Sequence, residues 1–239
     1  MNTVLAIDTS SVSSSAAILR KGLLLAETTQ RNPHKQHCEG LMPMLDQCLA
    51  MAQTDPNELD VIACTSGPGS FTGIRIGAAA AKGLAHALGI GIIAVPTLDA
   101  LAYNVFNASS LIVPIMDARR GQVYTSRYLR PISNPAKPER VWEYECVPLA
   151  GLLSSLRDLG KTATFTGDGL GTFQDAITAA GHCTAPENAR HVRASSVGLL
   201  ALDMIRDGCE PLGYGAFTPF YLRKPQAERE LEERSGAQT

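Results

Sequence analysis

The order of apolar, alternating and helix-like segments predicts a mixed α/β fold made of two similar halves. The first hundred of the 239 residues are predicted as three strands, a helix, a strand, a helix, a strand and a helix. Residues 111–120 (LIVPIMDARR) then resemble residues 4–11 (VLAIDTSS), with Asp117 in the place of Asp8. A second, looser copy of the pattern therefore begins there. With 45% hydrophobic and 18% charged residues, the composition is that of an ordinary globular protein.

The first half contains five predicted strands and three predicted helices. Short apolar or alternating runs predict strands over residues 4–7, 14–20, 23–29, 61–64 and 92–95. Apolar residues at helical spacing predict the helices: Leu41, Met44, Leu45, Cys48, Leu49 and Ala52 in the first, Ile74, Ile76 and Leu84 with an alanine run in the second, and Leu98, Leu101 and Ala102 in the third. Pro43 lies inside the first helix and is expected to bend it.

The second half repeats this order with longer connections. After residues 111–120, strands are predicted over 122–130, 140–149 and 162–167. Helices are predicted over 149–159, 172–180 and 195–207, the last with Ser195 or Ser196 as its N-cap. We therefore predict one lobe from residues 1–105, a second from 106–222, and a charged, mobile tail from 223–239.

A glycine-rich stretch, TSGPGSFTGIRIGAAAAKG at residues 65–83, links the strand at 61–64 to the second helix. Gly67, Gly69 and Gly73 allow unusual backbone angles or a close approach of another backbone, and Ser70 or Thr72 is suited to cap the helix. One interpretation is an anion site, because helix N-termini bind phosphate. The other is a structural turn, because the stretch matches neither GxxxxGK[ST] nor GxGxxG.

Charge and cysteine content exclude several classes of protein. The net charge is −2 and the pI is about 6.2, so no basic nucleic-acid-binding surface is indicated. The N-terminus does not resemble a signal peptide, and no apolar run approaches the roughly 20 residues of a membrane span, so no membrane contact is expected. The six cysteines form no CxxC pair and several lie in apolar runs, which is typical of buried, reduced thiols in a cytosolic protein.

Four motifs carry a resemblance to a known family. They are AIDTSS at residues 6–11, SGPGSFTGIRIG at 66–77, VPTLDAL at 95–101 and PFYLRKPQA at 219–227, and together they span nearly the whole chain. The chain resembles the bacterial TsaB (YeaZ) family, whose members take part in making threonylcarbamoyladenosine in tRNA. The resemblance implies an actin-like, Hsp70-like fold of two ribonuclease-H-like lobes. It also implies a cytoplasmic, non-catalytic subunit that contacts tRNA only indirectly.

The acids that end the first strand of each lobe point to a degenerate nucleotide or anion site. In active actin-like proteins, hairpins at these places hold the phosphates and magnesium of ATP. The corresponding residues here are Asp8, Thr9, Ser10, Gly67, Gly69 and Asp117. Capping of a strand end by a short polar side chain is the alternative interpretation. Three bulkier residues separate Asp117 from Gly121, so we expect no intrinsic cofactor, and at most ATP or ADP at an interface shared with a partner.

A metal site is not expected. His34 and His37 precede Cys38 and Glu39, but a zinc site needs three or four ligands and the other histidines are isolated in sequence. In TsaD, the catalytic relative, a histidine pair after the glycine-rich loop holds the metal. The corresponding region of this chain contains only His86.

The two helices around the glycine-rich stretch are predicted to contact a partner chain. The expected contact residues are Leu41, Met44, Leu45, Cys48, Arg75, Ile76 and Ala79. The alanine-rich helix allows close approach, and the methionine-containing helix offers an adaptable apolar surface. The resemblance implies a TsaD-like transferase and a TsaE-like ATPase as partners, with a homodimer when the chain is alone. An ATP-dependent small-molecule kinase or transferase is the alternative function, and a metallopeptidase is a third.

Overall fold

The computed structural model describes residues 3–31, 37–106, 110–131 and 137–223, and of residues 37–39 the backbone alone. Two β-sheets with flanking helices follow each other along the chain. The first contains β1 (Thr3–Asp8), β2 (Ser13–Arg20), β3 (Leu23–Arg31), α1 (His37–Met51), β4 (Val61–Gly67), α2 (Phe71–Leu88), β5 (Gly91–Pro96) and α3 (Thr97–Tyr103). The second contains β6 (Leu111–Asp117), β7 (Gln122–Thr125), β8 (Tyr128–Leu129), β9 (Glu139–Arg140), β10 (Glu145–Pro148), α4 (Leu149–Asp158), β11 (Ala163–Thr166), α5 (Leu170–Ala179), β12 (Cys183–Thr184) and α6 (Ala194–Arg206).

Both sheets have the same strand order, β3-β2-β1-β4-β5 in the first and β10-β7-β6-β11-β12 in the second. In the first sheet, β1 pairs antiparallel with β2 and parallel with β4, and β4 pairs parallel with β5. In the second sheet, β6 pairs antiparallel with β7 and parallel with β11, and β11 pairs parallel with β12. β1 is buried along its whole length, as expected of a central strand covered on both faces. The repeated order confirms the predicted two-copy arrangement.

The second sheet differs from the prediction between residues 122 and 149. The strand predicted over 122–130 divides into β7 and β8, both of which pair with β6. The break lies opposite Pro114, which has no backbone N–H to donate to a neighbouring strand. Thr125 instead donates its hydroxyl to the Pro114 carbonyl at 2.8 Å. The strand predicted over 140–149 shortens to β10, because the preceding residues pair as β9 with β8.

Helix α6 follows the second sheet in sequence but packs against the first. Its Val197 and Ala201 share a core with Val4 and Leu19. Gly198 permits the close approach, because a Cβ at that position would lie 2.3 Å from Leu19 Cδ1. The predicted lobe of residues 106–222 therefore includes a helix that covers the sheet of the other lobe.

The N-terminus of α6 also differs from the prediction. The helix begins at Ala194, so neither Ser195 nor Ser196 is its N-cap. Glu27 of β3 takes over that function, since its Oε1 accepts hydrogen bonds from the backbone N–H of Ser195 at 2.8 Å and from its hydroxyl at 2.7 Å. A carboxylate near a helix N-terminus stabilises the helix in the same way as a capping side chain.

Residues 212–223, which we call the C-terminal segment, also return to the first lobe. Leu212 exchanges two backbone hydrogen bonds of 2.8 Å with Ile92 of β5. Phe217 is fully buried in the core of that lobe, and the Phe220 N–H donates to the Ser66 carbonyl at 2.7 Å. The tail predicted over 223–239 lies, apart from Arg223, outside the described residues.

The apolar stripe of α1 faces the protein's own core. Leu41, Met44, Leu45 and Cys48 are each at most 4% exposed and pack with apolar side chains of β1, β2 and β4. The prediction that these four side chains contact a partner chain is therefore wrong. An amphipathic helix is stabilised mainly by burying such a stripe, and the sheet of the same lobe buries this one.

The small residues of α2 also serve packing within the chain. A Cβ at Gly73 would lie 2.0 Å from the Thr9 carbonyl oxygen, and one at Gly77 would lie 2.4 Å from Thr9 Oγ1. The helix can therefore lie directly against the β1–β2 turn. Three of its alanines are buried in the same core, namely Ala78, Ala81 and Ala85.

The described part of the chain contains no helix long and apolar enough to cross a membrane. Its five cysteines with described side chains are unbridged. Cys48 and Cys64 are buried, whereas Cys183 and Cys209 are exposed, so the expectation of buried thiols holds only for part of the set.

Candidate functional site

A cleft of about 760 Å³ lies between the glycine-rich stretch and the β6–β7 turn. The β1–β2 turn and the start of α2 form its wall on one side, and the β6–β7 turn and the start of α5 form the other. Two helices therefore begin at the cleft, with the partial positive charge of their N-termini nearby. Of the residues predicted for a nucleotide or anion site, Ser10, Gly69 and Asp117 line the cleft, and Asp8, Thr9 and Gly67 are buried behind it.

Asp8 ends β1 as a fully buried carboxylate. Its Oδ1 accepts hydrogen bonds from the Ser10 N–H at 3.1 Å, the Ser10 hydroxyl at 2.6 Å and the Thr65 hydroxyl at 2.8 Å. Its Oδ2 is buried without a hydrogen-bond partner among the described residues. Burial raises the pKa of Asp8 to about 6, against the opposing effect of the three hydrogen bonds. Oδ1 thus has the capping role proposed as the alternative, and Oδ2 has no hydrogen-bond partner in the described part of the chain.

The glycine-rich stretch packs tightly on the β1–β2 turn. The Ser70 N–H donates to the Ser10 carbonyl at 2.7 Å, and a Cβ on Gly69 would lie 2.4 Å from the same oxygen. Ser70 caps α2, as one of the two predicted alternatives, because its hydroxyl accepts from the Gly73 N–H at 3.3 Å. Thr9 Oγ1 donates to the Gly73 carbonyl at 2.7 Å. Several polar groups that could face a ligand are therefore used inside the lobe.

Gly67 serves a different contact from the one predicted. A Cβ there would lie 2.2 Å from the carbonyl oxygen of Phe220 in the C-terminal segment, and its φ is +124°. Only glycine accommodates both conditions without strain. Gly67 therefore receives the C-terminal segment rather than a ligand in the cleft.

Asp117 ends β6 in a tight turn crowded by arginine. Its Oδ1 accepts from the Arg119 N–H at 2.7 Å, and its Oδ2 lies 3.4 Å from Arg119 Nη1. Arg119 and Arg120 have φ values of +66° and +53°, an uncommon backbone conformation for residues other than glycine. The charge of Asp117 is therefore partly neutralised by Arg119 of the same turn.

Asp168 is a third acid at the cleft, and it was not among the residues predicted for a nucleotide or anion site. Its Oδ1 accepts from the Asp117 N–H at 3.3 Å. The pKa of Asp168 is raised to about 6, chiefly by burial and also by the nearby charges of Asp117 and Asp8, against the opposing effects of that hydrogen bond and of the Arg119 charge. The adjacent Gly167 packs on β6, where a Cβ would lie 2.0 Å from the Ile115 carbonyl oxygen. This turn is thus closely packed.

Several arginines around the cleft come from distant parts of the sequence, and sequence reasoning missed them. Arg31 at the end of β3 lies 3.5 Å from Glu187 of the second lobe, and Glu187 also pairs with Arg190 at 3.5 Å. Arg223 donates to Gln122 Oε1 at 2.8 Å. The Arg31–Glu187 and Arg223–Gln122 contacts join residues 156 and 101 positions apart, so no local motif marks them.

No group of three or more His, Cys, Asp or Glu side chains is arranged to hold a metal ion within the described residues. The side chains of His34, His37 and Cys38 lie outside the described part of the structure. The expectation of no bound metal therefore stays a prediction.

The outer faces of α1 and α2 form one exposed surface, which we call the helical surface. Arg75 and Ala79 are exposed there and Ile76 is partly exposed, so these three predicted contact residues remain available to a partner. The other exposed residues of the two helices are Met42, Pro43, Asp46, Gln47, Ala50 and Met51 on α1, and Thr72, Gly83, His86 and Ala87 on α2.

Two lobes with the same strand order around a shared cleft define the actin-like class of folds. Component A of (R)-2-hydroxyglutaryl-CoA dehydratase from Acidaminococcus fermentans has this fold and aligns with a TM-score of 0.51 at 11% identity over 86% of this chain and all of the other. YeaZ from Pseudomonas aeruginosa is more similar, with a TM-score of 0.75 and 25% identity over 93% of this chain and all of the other.

Comparison of sequences places the chain within one family of this class. The model of the TsaD family, tRNA N6-adenosine threonylcarbamoyltransferase, matches residues 27–231. The tRNA threonylcarbamoyladenosine biosynthesis protein TsaB of Bacillus subtilis is 36% identical over 237 residues, which cover 95% of this chain and 96% of that protein. TsaB of Escherichia coli is 34% identical over 129 residues, about half of each chain. The chain belongs to the TsaB (YeaZ) family.

Proposed function

We propose that this chain is a non-catalytic scaffolding subunit required to form N6-threonylcarbamoyladenosine in tRNA, at the adenosine next to the anticodon. It binds and activates a TsaD-like transferase, and a TsaE-like ATPase completes the complex. The chain works in the cytoplasm and forms a homodimer when the transferase is absent. It contacts tRNA only indirectly, in keeping with a net charge of −2.

The observation that carries this proposal is the relationship to the Bacillus subtilis TsaB protein over nearly the full length of both chains. The name of that protein assigns it to tRNA threonylcarbamoyladenosine biosynthesis. A relationship at 36% identity that includes both lobes supports the same pathway for this chain. The match to the TsaD family model relates this chain itself to the transferase and so supports a place in the same modification.

The bonding of the two strand-end acids supports a non-catalytic role. Three hydrogen bonds fix Asp8 Oδ1 inside the first lobe, and Arg119 neutralises Asp117. The Ser70 amide, at the start of α2, is bonded to Ser10. These bonded groups are therefore not available to a magnesium–triphosphate group, although Asp8 Oδ2 is not hydrogen-bonded within the described residues. Nucleotide bound at an interface shared with the partner does not require that this chain alone supplies those free groups.

The helical surface is the proposed contact for the transferase, and for a second copy when the transferase is absent. It combines Arg75 and the partly exposed Ile76 with short side chains such as Ala79, which allow another helix to approach closely. On α1, Met42 is 45% exposed and Met51 is 57% exposed, which gives the same surface flexible apolar groups. These exposed residues replace Leu41, Met44, Leu45 and Cys48 as the proposed contact residues of the two helices.

The proposal is tested by mixing the purified chain with the TsaD-like chain of the same organism and measuring the mass by light scattering. We expect a complex with the wild-type chain and loss of the complex with Met42→Glu, which puts a charge on the helical surface. Leu159→Glu is the matched control, because Leu159 is 49% exposed beyond α4 in the other lobe. Both variants should keep the thermal transition. Equal complex formation by Met42→Glu and Leu159→Glu would place the interface elsewhere.

An ATP-dependent small-molecule kinase or transferase is the second candidate function. Two observations favour it, namely Asp8 Oδ2, which has no partner among the residues that the structure describes, and the volume of the cleft beside it. It requires ATP turnover by the chain alone that disappears in Asp8→Ala. We expect no such turnover, and measuring the formation of ADP from ATP by the purified wild-type chain and by Asp8→Ala distinguishes the candidates.

A further inference from the structure

Arg75 is held in position by two aromatic side chains. Its guanidinium carbon lies 3.8 Å from the ring centroid of Phe71, one helical turn earlier in α2. Its Nε donates to the hydroxyl of Tyr221 in the C-terminal segment at 3.1 Å, and the Phe71 and Tyr221 rings lie 5.2 Å apart. The arrangement restricts a side chain that is normally mobile on a helix surface.

The position of Tyr221 is itself fixed by the first lobe. Phe217 is fully buried in the core, and the Phe220 N–H is bonded to Ser66 next to Gly67. The motifs SGPGSFTGIRIG and PFYLRKPQA, 146 residues apart at Arg75 and Tyr221, therefore meet at one point. Close packing explains why glycine occupies positions 67 and 73 of the glycine-rich stretch. It does not explain why an arginine at position 75 is bonded to a tyrosine hydroxyl at position 221.

Within the described residues, no other group is hydrogen-bonded to the rest of the Arg75 guanidinium. The side chain is exposed, and its neighbours on the same face of α2 are the short Thr72 and Ala79. The ion pairs among the described residues do not include Arg75. With Nε bonded to Tyr221, the N–H groups of both Nη atoms remain for another acceptor, and a planar pair of donors matches a carboxylate.

We infer that Arg75 is the anchor of the helical surface and receives an acidic side chain of the TsaD-like partner, with Phe71 and Tyr221 as positioning residues. This inference rests on the proposed function and adds the chemistry of the partner. A pre-positioned arginine within a surface of small and apolar side chains is typical of an interface hot spot, because little entropy is lost when it binds.

A carboxylate suits the site better than an RNA phosphate. Binding to a nucleic-acid backbone rests on several cations acting together. Around Arg75 the described neighbours on α2 are Thr72, Ile76 and Ala79, which carry no charge. Arg75 is the one exposed arginine among the described residues of α1 and α2, and Asp46 on α1 is acidic. One arginine among uncharged and acidic residues suits an ion pair between two protein chains better than a phosphate backbone.

The test is a calorimetric titration of the TsaD-like chain of the same organism with the wild-type chain and four variants. We expect Arg75→Gln to weaken binding about 10- to 100-fold, the range of a hot-spot residue. The affinity of Arg75→Lys should lie between those of wild type and Arg75→Gln, because lysine keeps the charge and loses the planar donor pair. Tyr221→Phe should weaken binding roughly threefold, because it keeps the ring and loses only the bond to Nε. Arg157→Gln, the same change at an exposed position of α4, should bind like wild type.

Repeating the titration at higher salt separates the charge from the shape of the side chain. Binding by wild type should weaken with salt more steeply than binding by Arg75→Gln. The inference is overturned if Arg75→Gln binds the partner as tightly as Arg157→Gln, or if it alters only tRNA binding or only self-association. A wild-type chain that does not bind the TsaD-like chain at all would instead overturn the proposed function. Unchanged thermal transitions confirm that the variants are folded.

Discussion

Replacing glycine by alanine at two positions of α2 is expected to change stability in opposite directions. At Gly83 a Cβ would meet nothing within 4 Å, whereas at Gly73 it would lie 2.0 Å from the backbone oxygen of Thr9. In a helix, alanine is favoured over glycine by about 1 kcal/mol. Gly83→Ala should therefore raise the free energy of unfolding by about 0.5–1 kcal/mol.

At Gly73 the steric cost exceeds this gain. Relief of the overlap requires the β1–β2 turn to move away from α2, and such overpacking costs about 1–3 kcal/mol. The movement also disturbs the hydrogen bond of 2.7 Å from Thr9 Oγ1 to the Gly73 carbonyl. That loss adds about 1 kcal/mol, and the helical gain of about 1 kcal/mol offsets it. Gly73→Ala should therefore lower the free energy of unfolding by about 1–3 kcal/mol.

Urea denaturation followed by circular dichroism measures both changes. The midpoint should rise for Gly83→Ala and fall for Gly73→Ala, with an unchanged slope. Gly73→Ala that is as stable as Gly83→Ala would refute the role assigned to small residues in packing α2 on its own lobe. Such a result would instead favour the sequence-based prediction that the alanine-rich helix contacts another chain closely.

Burial and charge give three further expectations, each checked by denaturation. Leu45→Glu puts a charge at a position that is 1% exposed and should abolish the cooperative thermal transition, whereas Met42→Glu on the same helix should keep it. Phe217→Ala, at 0% exposure, should cost about 3–5 kcal/mol. Phe220→Ala, at 39% exposure, should cost less than about 1 kcal/mol, and equal costs for both would contradict the docking of the C-terminal segment. The pKa of Asp8 in the folded state is about 6, above its usual value of 3.8, so the ionised carboxylate destabilises the fold and stability falls as the pH rises between those values. The stability of Asp8→Asn relative to wild type should therefore increase by roughly 1–3 kcal/mol from acid to neutral pH, and a difference independent of pH would contradict this.

The fold could be predicted because its signals are local and occur twice. Each half begins with a short apolar strand that ends in an acid, Asp8 or Asp117, and continues with elements whose periodicity is clear. The position of the glycine-rich stretch between β4 and α2 was evident for the same reason. Even the break between β7 and β8 has a local cause in Pro114, although its effect depends on which strand lies opposite.

The contacts of these elements were harder to predict. Helical spacing identifies Leu41 and Leu45 as members of one face, but it does not say whether that face covers a sheet or another chain. The docking of Phe217 and Tyr221 on the first lobe depends on pairs more than a hundred residues apart. The same is true of Glu27, which caps α6 from β3. Information of this kind resides in the assembled fold and in no single stretch of sequence.

Nucleoside analysis of tRNA by mass spectrometry tests the central claim most directly. Unmodified tRNA is incubated with the TsaD-like and TsaE-like chains of the same organism, ATP and the threonylcarbamoyl donor, with or without this chain. The account predicts threonylcarbamoyladenosine only when this chain is present, the same yield with Asp8→Ala, and none with this chain as the sole protein. Equal modification in its absence, or modification by this chain alone, would contradict the account.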